Sequence, residues 1–219
     1  QAPIALKKYG VLGSGLNASG SFVQNGEKPD QSVVIVDPAG LHHIHGTPHG
    51  AGGAAGSIYR WLGIYNSPRF PTDVQAAITE PTHAKFHAYD QEKLVIHAVG
   101  PNFRKESVDR KQGVAMLSAT YANILREYHL SGVHTLRLLP VSGGIFSGPF
   151  KNELPEMTRE ALEAALLTLP GKTREEILKA WPPRLEMCIF AEAEYPAFMK
   201  AFAGLAVEDG PEDGACSQK

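Results

Sequence analysis

Gly50-Ala51-Gly52-Gly53-Ala54-Ala55-Gly56-Ser57-Ile58-Tyr59-Arg60-Trp61-Leu62-Gly63 (residues 50–63) is the stretch that decides how this chain is read. Gly50, Gly52, Gly53 and Gly56 leave the backbone bare, with nothing larger than alanine between them. Ser57 is placed to cap a helix whose apolar positions Ile58, Trp61 and Leu62 follow the i, i+3, i+4 rule. A bare loop that feeds a helix start aims free N–H groups and the positive end of the helix dipole at one point, which makes a ready site for phosphate. The same pattern also serves as a plain turn, so its meaning depends on what surrounds it.

The surroundings supply a second turn of the same kind. Leu138-Leu139-Pro140-Val141 ends an apolar run that reads as a strand, and Ser142-Gly143-Gly144-Ile145-Phe146-Ser147-Gly148-Pro149 follows it. Strand ends of this sort are where open α/β sheets bind ligands. Between the two turns lies Leu94–Ala98, a third strand running into Val99-Gly100-Pro101-Asn102-Phe103. Two phosphate-sized turns in one fold suit a ligand with a diphosphate.

The segments VVIVDPAG (33–40), GGAAGSIYRWLG (52–63), VIHAVGPNF (95–103) and LPVSGGIFSGP (139–149), in this order and spacing, resemble the macro domain family. VIHAVGPNF is especially similar to viral members. The resemblance covers roughly residues 25–206 and implies a three-layer α/β/α fold with a mixed, mostly parallel central sheet. It also implies ADP-ribose, or an ADP-ribosylated protein, as the partner, held in a cleft at the strand ends with no cofactor. The backbone of Gly52, Gly53, Ala54, Ala55, Gly56, Ser57 and Ile58, with that of Ser142, Gly143, Gly144, Ile145, Phe146 and Ser147, would then hold the diphosphate. Phe146 and Gly40 would lie beside the distal ribose, and Asn25 and Phe190 near the adenine. Residues 1–24 are left as an N-terminal extension, a strand or hairpin plus a Gly/Ser loop. Residues 207–219 form an acidic tail poor in apolar residues, expected to be disordered.

The family pattern departs at the positions that matter for chemistry. Where hydrolytic macro domains carry Asn-Ala-Ala-Asn, this chain has Asp37-Pro38-Ala39-Gly40, so the amide that orients the distal ribose and often a water is missing. The acidic residue often found before the last glycine of the first loop is Ala55. A water near the anomeric carbon then lacks an obvious orienting group or base. Gly40 is followed by four histidines in eight residues: His42, His43, His45 and His49. One of these, with His43 and His45 as the candidate catalytic residues, could replace the asparagine or act as a general base. A zinc site is a second reading. No cysteine is near in sequence, however, and no metal is expected. A solvated loop without chemistry is the third. Binding of ADP-ribose is thus the leading function. A rewired ADP-ribosyl hydrolase or ADP-ribose-1″-phosphatase is the enzymatic alternative, and a pseudo-site interaction module the structural one.

Composition is consistent with this. The 219 residues suffice for one decorated domain with a real core. A net charge of −2 argues against nucleic acid as the main partner, which calls for a basic face. The two cysteines, Cys188 in an apolar strand and Cys216 in a polar tail, give no disulfide framework and suit a reducing compartment. No apolar run of about 18 residues is present and no leader is visible, so a cytoplasmic or nuclear protein with no membrane contact is expected.

Strands are expected at Val33–Val36, Leu94–Ala98, Thr135–Leu139 and Leu185–Phe190, with an antiparallel strand at an edge. Helices are expected at about 113–129, at 158–168, from a Thr173/Glu176 capping box to Pro182, and around Tyr195–Phe202. Gly13-Ser14-Gly15-Leu16-Asn17-Ala18 fits a dinucleotide fingerprint, but Ser19-Gly20-Ser21 follows where that fold needs a helix. Gly171-Lys172-Thr173 has the ending of a P-loop, with Leu166 in place of the glycine required five residues earlier.

Overall fold

Strand β4 (Val33–Pro38) runs through the middle of the protein, with Val34 to Asp37 all buried. A strand covered on both faces cannot alternate apolar with polar residues, which is why Val33-Val34-Ile35-Val36 reads as a continuous run. Around it the computed structural model, which describes residues 3–90, 92–203 and 205, builds a six-stranded sheet. Its other strands are β1 (Ile4–Lys7), β5 (Ala84–Tyr89), β6 (Lys93–Ala98), β7 (Thr135–Leu138) and β8 (Leu185–Cys188), in the order β1-β8-β7-β4-β6-β5. All neighbours are parallel except β5, which pairs antiparallel with β6 at one edge. A short hairpin of β2 (Ser14–Leu16) and β3 (Phe22–Gln24) lies outside this sheet.

Helices cover both faces. On one side α4 (Arg110–Ser131), α5 (Leu154–Leu167), α6 (Gly171–Leu178) and α7 (Tyr195–Phe202) bury Leu117, Tyr121, Ile124, Met157, Leu162, Ile177 and Phe198 against Val34, Val36 and Leu136. On the other, α1 (Leu41–Ile44), α2 (Gly53–Leu62) and α3 (Thr72–Ala77) bury Ile44, Ile58, Tyr59, Leu62 and Val74 against Ile35 and Val95. The three-layer α/β/α architecture with a mixed, mostly parallel sheet is therefore present as expected. No helix among the described residues is long and apolar enough to cross a membrane. Cys188 is a buried free thiol, its pKa pushed up by burial. Cys216 and the expected tail at 207–219 lie outside the described residues.

Local chemistry moved several boundaries. Helix α4 starts three residues earlier than the apolar periodicity indicates because Asp109 and Gln112 form a capping box. Asp109 Oδ1 accepts from Gln112 N–H at 2.8 Å, and Gln112 Oε1 accepts from Asp109 N–H at 2.9 Å. Helix α5 begins at Leu154 with Pro155 in its first turn, a position where the missing N–H costs nothing. The capping box expected at Thr173 and Glu176 does not form, because Pro170 starts α6 at Gly171 and leaves Thr173 inside the first turn. Strand β8 stops at Cys188, so Phe190 is turned out of the sheet. The residues of the expected extension are not an appendage: β1 supplies an edge of the main sheet by pairing with β8.

A buried ion pair ties that segment down. Arg137 on β7 donates from Nε to Glu186 Oε2 at 2.9 Å and from Nη1 to the carbonyls of Glu27 (2.9 Å) and Val11 (3.3 Å). Lys7 on β1 holds the other oxygen of Glu186 at 3.0 Å. Breaking a buried pair by removing one partner typically costs about 3–5 kcal/mol. Because Lys7 remains to hold Glu186, Arg137→Ala is expected to lose about 3 kcal/mol in urea unfolding. Hydrogen exchange should quicken selectively over residues 10–27.

Candidate functional site

Because β4, β6 and β7 are parallel neighbours, their C-terminal ends fall along one edge of the sheet. Asp37, near the end of β4, is opposite His97 of β6 in the register, and both are fully buried. Asp37 Oδ2 lies 2.7 Å from His97 Nδ1, and His97 Nε2 lies 2.9 Å from the Tyr89 hydroxyl. Asp37 Oδ2 accepts from the Nδ1–H of His97, which leaves Nε2 to accept from the Tyr89 hydroxyl. The phenol of Tyr59 is held well above its ordinary pKa, first by burial and then by the charge of Asp37. The first residue of the Asp-Pro-Ala-Gly motif is therefore a core anchor. His97 is a hydrogen-bonded histidine of the core.

Helix α2 runs back along the sheet from this edge. Its last turn carries Trp61, whose ring sits 5.8 Å from the ammonium of Lys93, the first residue of β6, so its N-terminus lies at the opposite end, with the strand termini. The cap is Gly52, not Ser57: the helix begins at Gly53, and Ser57 is an exposed residue inside it. Gly53 takes φ +57°, a conformation that only glycine adopts freely, and this starts the helix a turn before the first residue able to cap it. The N–H groups of Gly53, Ala54 and Ala55 in the first turn have no acceptor within the described chain. Those of Gly56, Ser57 and Ile58 are used by the helix itself, Gly56 N–H bonding Gly52 at 3.1 Å. Ala55, Gly56 and Ile58 are buried, and a Cβ at Gly56 would come within 2.2 Å of the Ala51 carbonyl. At Gly52 and Gly53, by contrast, an added Cβ meets only open space. The open, unpartnered part of the loop is thus its start, at Gly52–Ala55.

The second loop is held from beneath. The Tyr121 hydroxyl on α4 donates to the Leu139 carbonyl at 3.1 Å and accepts from Val141 N–H at 2.9 Å, fixing the chain as it leaves β7. Ser142, at φ +61°, donates from Oγ to the Pro101 carbonyl at 2.6 Å, and Phe103 N–H bonds the Phe146 carbonyl at 3.0 Å. The loops after β6 and β7 are thereby laced together. Gly143 N–H bonds Pro140, and Ser147 Oγ bonds the Gly144 carbonyl at 2.8 Å. The N–H groups of Gly144 and Ile145 have no acceptor within the described chain, and a Cβ at Gly144 would meet nothing. Ile145 is exposed and Phe146 half-buried beside them.

The remaining candidates divide clearly. Asn25 is exposed, its N–H bonded to the Gly13 carbonyl at 3.1 Å, while Phe190 lies over Gly10 and 6.2 Å from the ring of exposed Phe22. Both belong to the region of the N-terminal hairpin, and Phe22, which no motif marked, completes its apolar surface. In the histidine loop, His43 Nδ1 lies 3.0 Å from the Thr47 carbonyl and His45 Nε2 lies 2.7 Å from that of Ile78. Each of those nitrogens must carry its proton to make the bond, so one side of each ring is committed to holding the loop. The His49 ring packs on Tyr65. The His42 ring stacks on His43 at 4.0 Å and reaches over Gly40, where an added Cβ would come within 2.9 Å of its Cε1. Among the described residues no group of three or more His, Cys, Asp or Glu is placed to hold a metal ion.

Comparison with characterised proteins accords with this geometry. Residues 50–156 match the family described as Macro domain, and the fold around them is a macro domain fold. The matched stretch opens at the first glycine loop and ends beyond the second; it leaves out Asp37–Gly40. No curated protein sequence matches the chain. Among solved structures, the Trypanosoma brucei macrodomain in complex with ADP is 20% identical, with 90% of this chain and 68% of that one covered and a TM-score of 0.55. The same macrodomain in complex with ADP-ribose is 20% identical over the same shares, with a TM-score of 0.51. The Oceanobacillus iheyensis macrodomain with ADP is 15% identical, covering 80% of this chain and 85% of that one, with a TM-score of 0.54.

Tyr121→Phe removes the hydroxyl that serves both Leu139 and Val141 and leaves two buried backbone groups unpaired. Leaving a buried group unsatisfied costs about 1–3 kcal/mol, so chemical denaturation should register a loss in that range with the fold retained.

Proposed function

We propose that the chain binds ADP-ribose, free or attached to a protein, and that it turns the ligand over slowly or not at all. The observation that carries this reading is the pair of glycine turns at one end of the sheet. Gly53, Ala54 and Ala55 in one, and Gly144 and Ile145 in the other, present unpartnered N–H groups, with open space at Gly53 and Gly144. Backbone donors at a helix start suit phosphate oxygens, and two such clusters suit a diphosphate. The solved macrodomains that share the fold were crystallised with ADP and with ADP-ribose, which supports the same ligand class here. Asn25, Phe190 and Phe22 in the hairpin region are where the adenine would rest.

ADP-ribose at about 100 times its dissociation constant should stabilise the protein by about 2.7 kcal/mol, read as a rise in melting temperature and as calorimetric heat. Gly52→Val, at φ −106° with only open space around an added Cβ, places a side chain where the phosphate would meet the backbone. It is expected to abolish that shift while leaving the circular dichroism unchanged. No shift and no heat at millimolar ADP-ribose would make the chain an interaction module that has lost its ligand.

Weak turnover follows from what stands at the motif. Asp37 is fully buried with Oδ2 bonded to His97, Gly40 has no side chain, and Ala55 carries no acid. A positioned general base contributes about 10²–10⁴-fold, so its loss should be plain when release of ADP-ribose from a mono-ADP-ribosylated protein is followed over time. Rapid release that vanishes in His43→Ala or His45→Ala would instead establish the histidine loop as the base.

A further inference from the structure

Beside the second glycine loop the charges are unevenly spent. The turn at Phe103–Lys105, after β6, is fixed through its backbone. Phe103 N–H bonds the Phe146 carbonyl at 3.0 Å, Arg104 N–H bonds Asn102 Oδ1 at 3.2 Å, and Lys105 N–H bonds the Asn102 carbonyl at 2.9 Å. A Cβ on Gly148 would come within 2.4 Å of the Phe103 carbonyl and 2.9 Å of the Arg104 nitrogen, so this turn and the second loop lie against each other. The rings of Phe103 and Phe150 meet at 5.1 Å, and Lys151 is the next residue of the chain. Helix α4 starts five residues after Lys105 and carries Lys111 in its first turn.

The acids of these segments are each bonded within the chain. Glu106 Oε1 accepts from Asn102 N–H at 2.9 Å, Asp109 caps α4, and Glu153 holds Arg110 at 3.0 Å. Arg104, Lys105, Lys111 and Lys151 are exposed and have no acidic partner among the described residues. In a chain whose net charge is −2, four unpaired cations thus collect along one side of the candidate site. Burial and His43 lower the pKa of His42, and the charge of Lys105 adds to them, which places Lys105 within electrostatic reach of the ring that covers Gly40. No exposed aromatic ring lies at residues 104–111 or 148–151, so this side offers charge without the stacking faces that single-stranded nucleic acid uses.

We propose that Arg104, Lys105, Lys111 and Lys151 form a docking surface for an acidic segment of the protein that carries ADP-ribose, so that charge outside the cleft selects the target. This rests on the ADP-ribose reading, in which Gly40 lies beside the distal ribose, the sugar through which the nucleotide is joined to a protein. A polypeptide attached at that end starts near Lys105. Exposed ion pairs are weak one at a time, so the surface acts through several together and chiefly on the rate of association.

The test uses two short peptides, each ADP-ribosylated on a central serine, one flanked by Asp and Glu and the other by Asn and Gln. The full chain should bind the acidic peptide about fivefold more tightly at low salt, mostly through a faster on-rate. That preference should fade at about 0.5 M salt, where exposed charges are screened. The combined variant Arg104→Gln, Lys105→Gln, Lys111→Gln, Lys151→Gln should bind the two peptides alike and hold free ADP-ribose within about twofold of the unmodified chain. Equal affinity of the unmodified chain for the two peptides overturns the docking surface and leaves ADP-ribose binding standing. A loss of free ADP-ribose as large as that of the acidic peptide assigns the cations to the diphosphate and overturns it too. So does an oligouridine that binds through these cations more tightly than the acidic peptide. A chain that binds ADP-ribose in no form overturns the binding reading and the docking surface together.

Discussion

The Asp37–His97 hydrogen bond sets the level at which the strands end. Both groups are fully buried, and they meet only because residue 37 of β4 is opposite residue 97 of β6. Burying a charged group costs several kcal/mol unless its partner is well placed. A slip of one residue would send every side chain of the strand to the other face and leave the carboxylate alone in the core. The register is therefore fixed beside the site, and the turns that follow inherit it. Tyr89 satisfies the far side of His97, and Tyr59 packs its hydroxyl toward the charge from α2. Helix α2 meets this joint at Tyr59, while the loop after β7 is held separately by Tyr121 and by the Ser142–Pro101 bond.

How far the sequence could be read follows from where each determinant lies. Strands β4, β6 and β7 announce themselves because burial on both faces demands unbroken apolar runs, and the two glycine turns because bare backbone has no other signature. Strand β5, Ala84-Lys85-Phe86-His87-Ala88-Tyr89, carries no such run: an edge strand needs only one dry face, and only the general expectation of an antiparallel edge anticipated it. The role of β1 was hidden because its partner β8 lies at the far end of the chain, and the Arg137–Glu186–Lys7 contacts that fasten it come from three separate strands. Ser57 illustrates the opposite failure. It is the residue type that caps helices, but the glycines before it let the helix begin a turn sooner.

Glycines in the two loops serve two different ends. Gly56 lets α2 press against the Ala51 carbonyl, and Gly148 lets its loop lie within reach of the Phe103 backbone. These make close approaches that any side chain would block, and they shape the loops. Gly52, Gly53 and Gly144 touch nothing, and what their bareness keeps clear is the space outside the protein surface. Sequence cannot separate the two kinds, since the letter is the same; the distance from an added Cβ to its neighbours does. Only the second kind bears on a ligand.

The substitution of Asp-Pro-Ala-Gly at the end of β4 joins these threads. An aspartate at residue 37 makes a buried bond to His97. The same motif ends in Gly40, which takes a side chain away from the middle of the cleft. The first residue belongs to the scaffold, while the last leaves a bare position beside the loops, so the proposed weak turnover would not require the loops on either side to loosen. Binding to backbone N–H groups needs only the scaffold. Turnover needs a placed side chain, and the group that now covers Gly40 is the imidazole of His42, two residues further along the chain and on the first turn of α1. On the proposed reading, recognition and reaction would depend on separate residues, and loss of one would not require loss of the other.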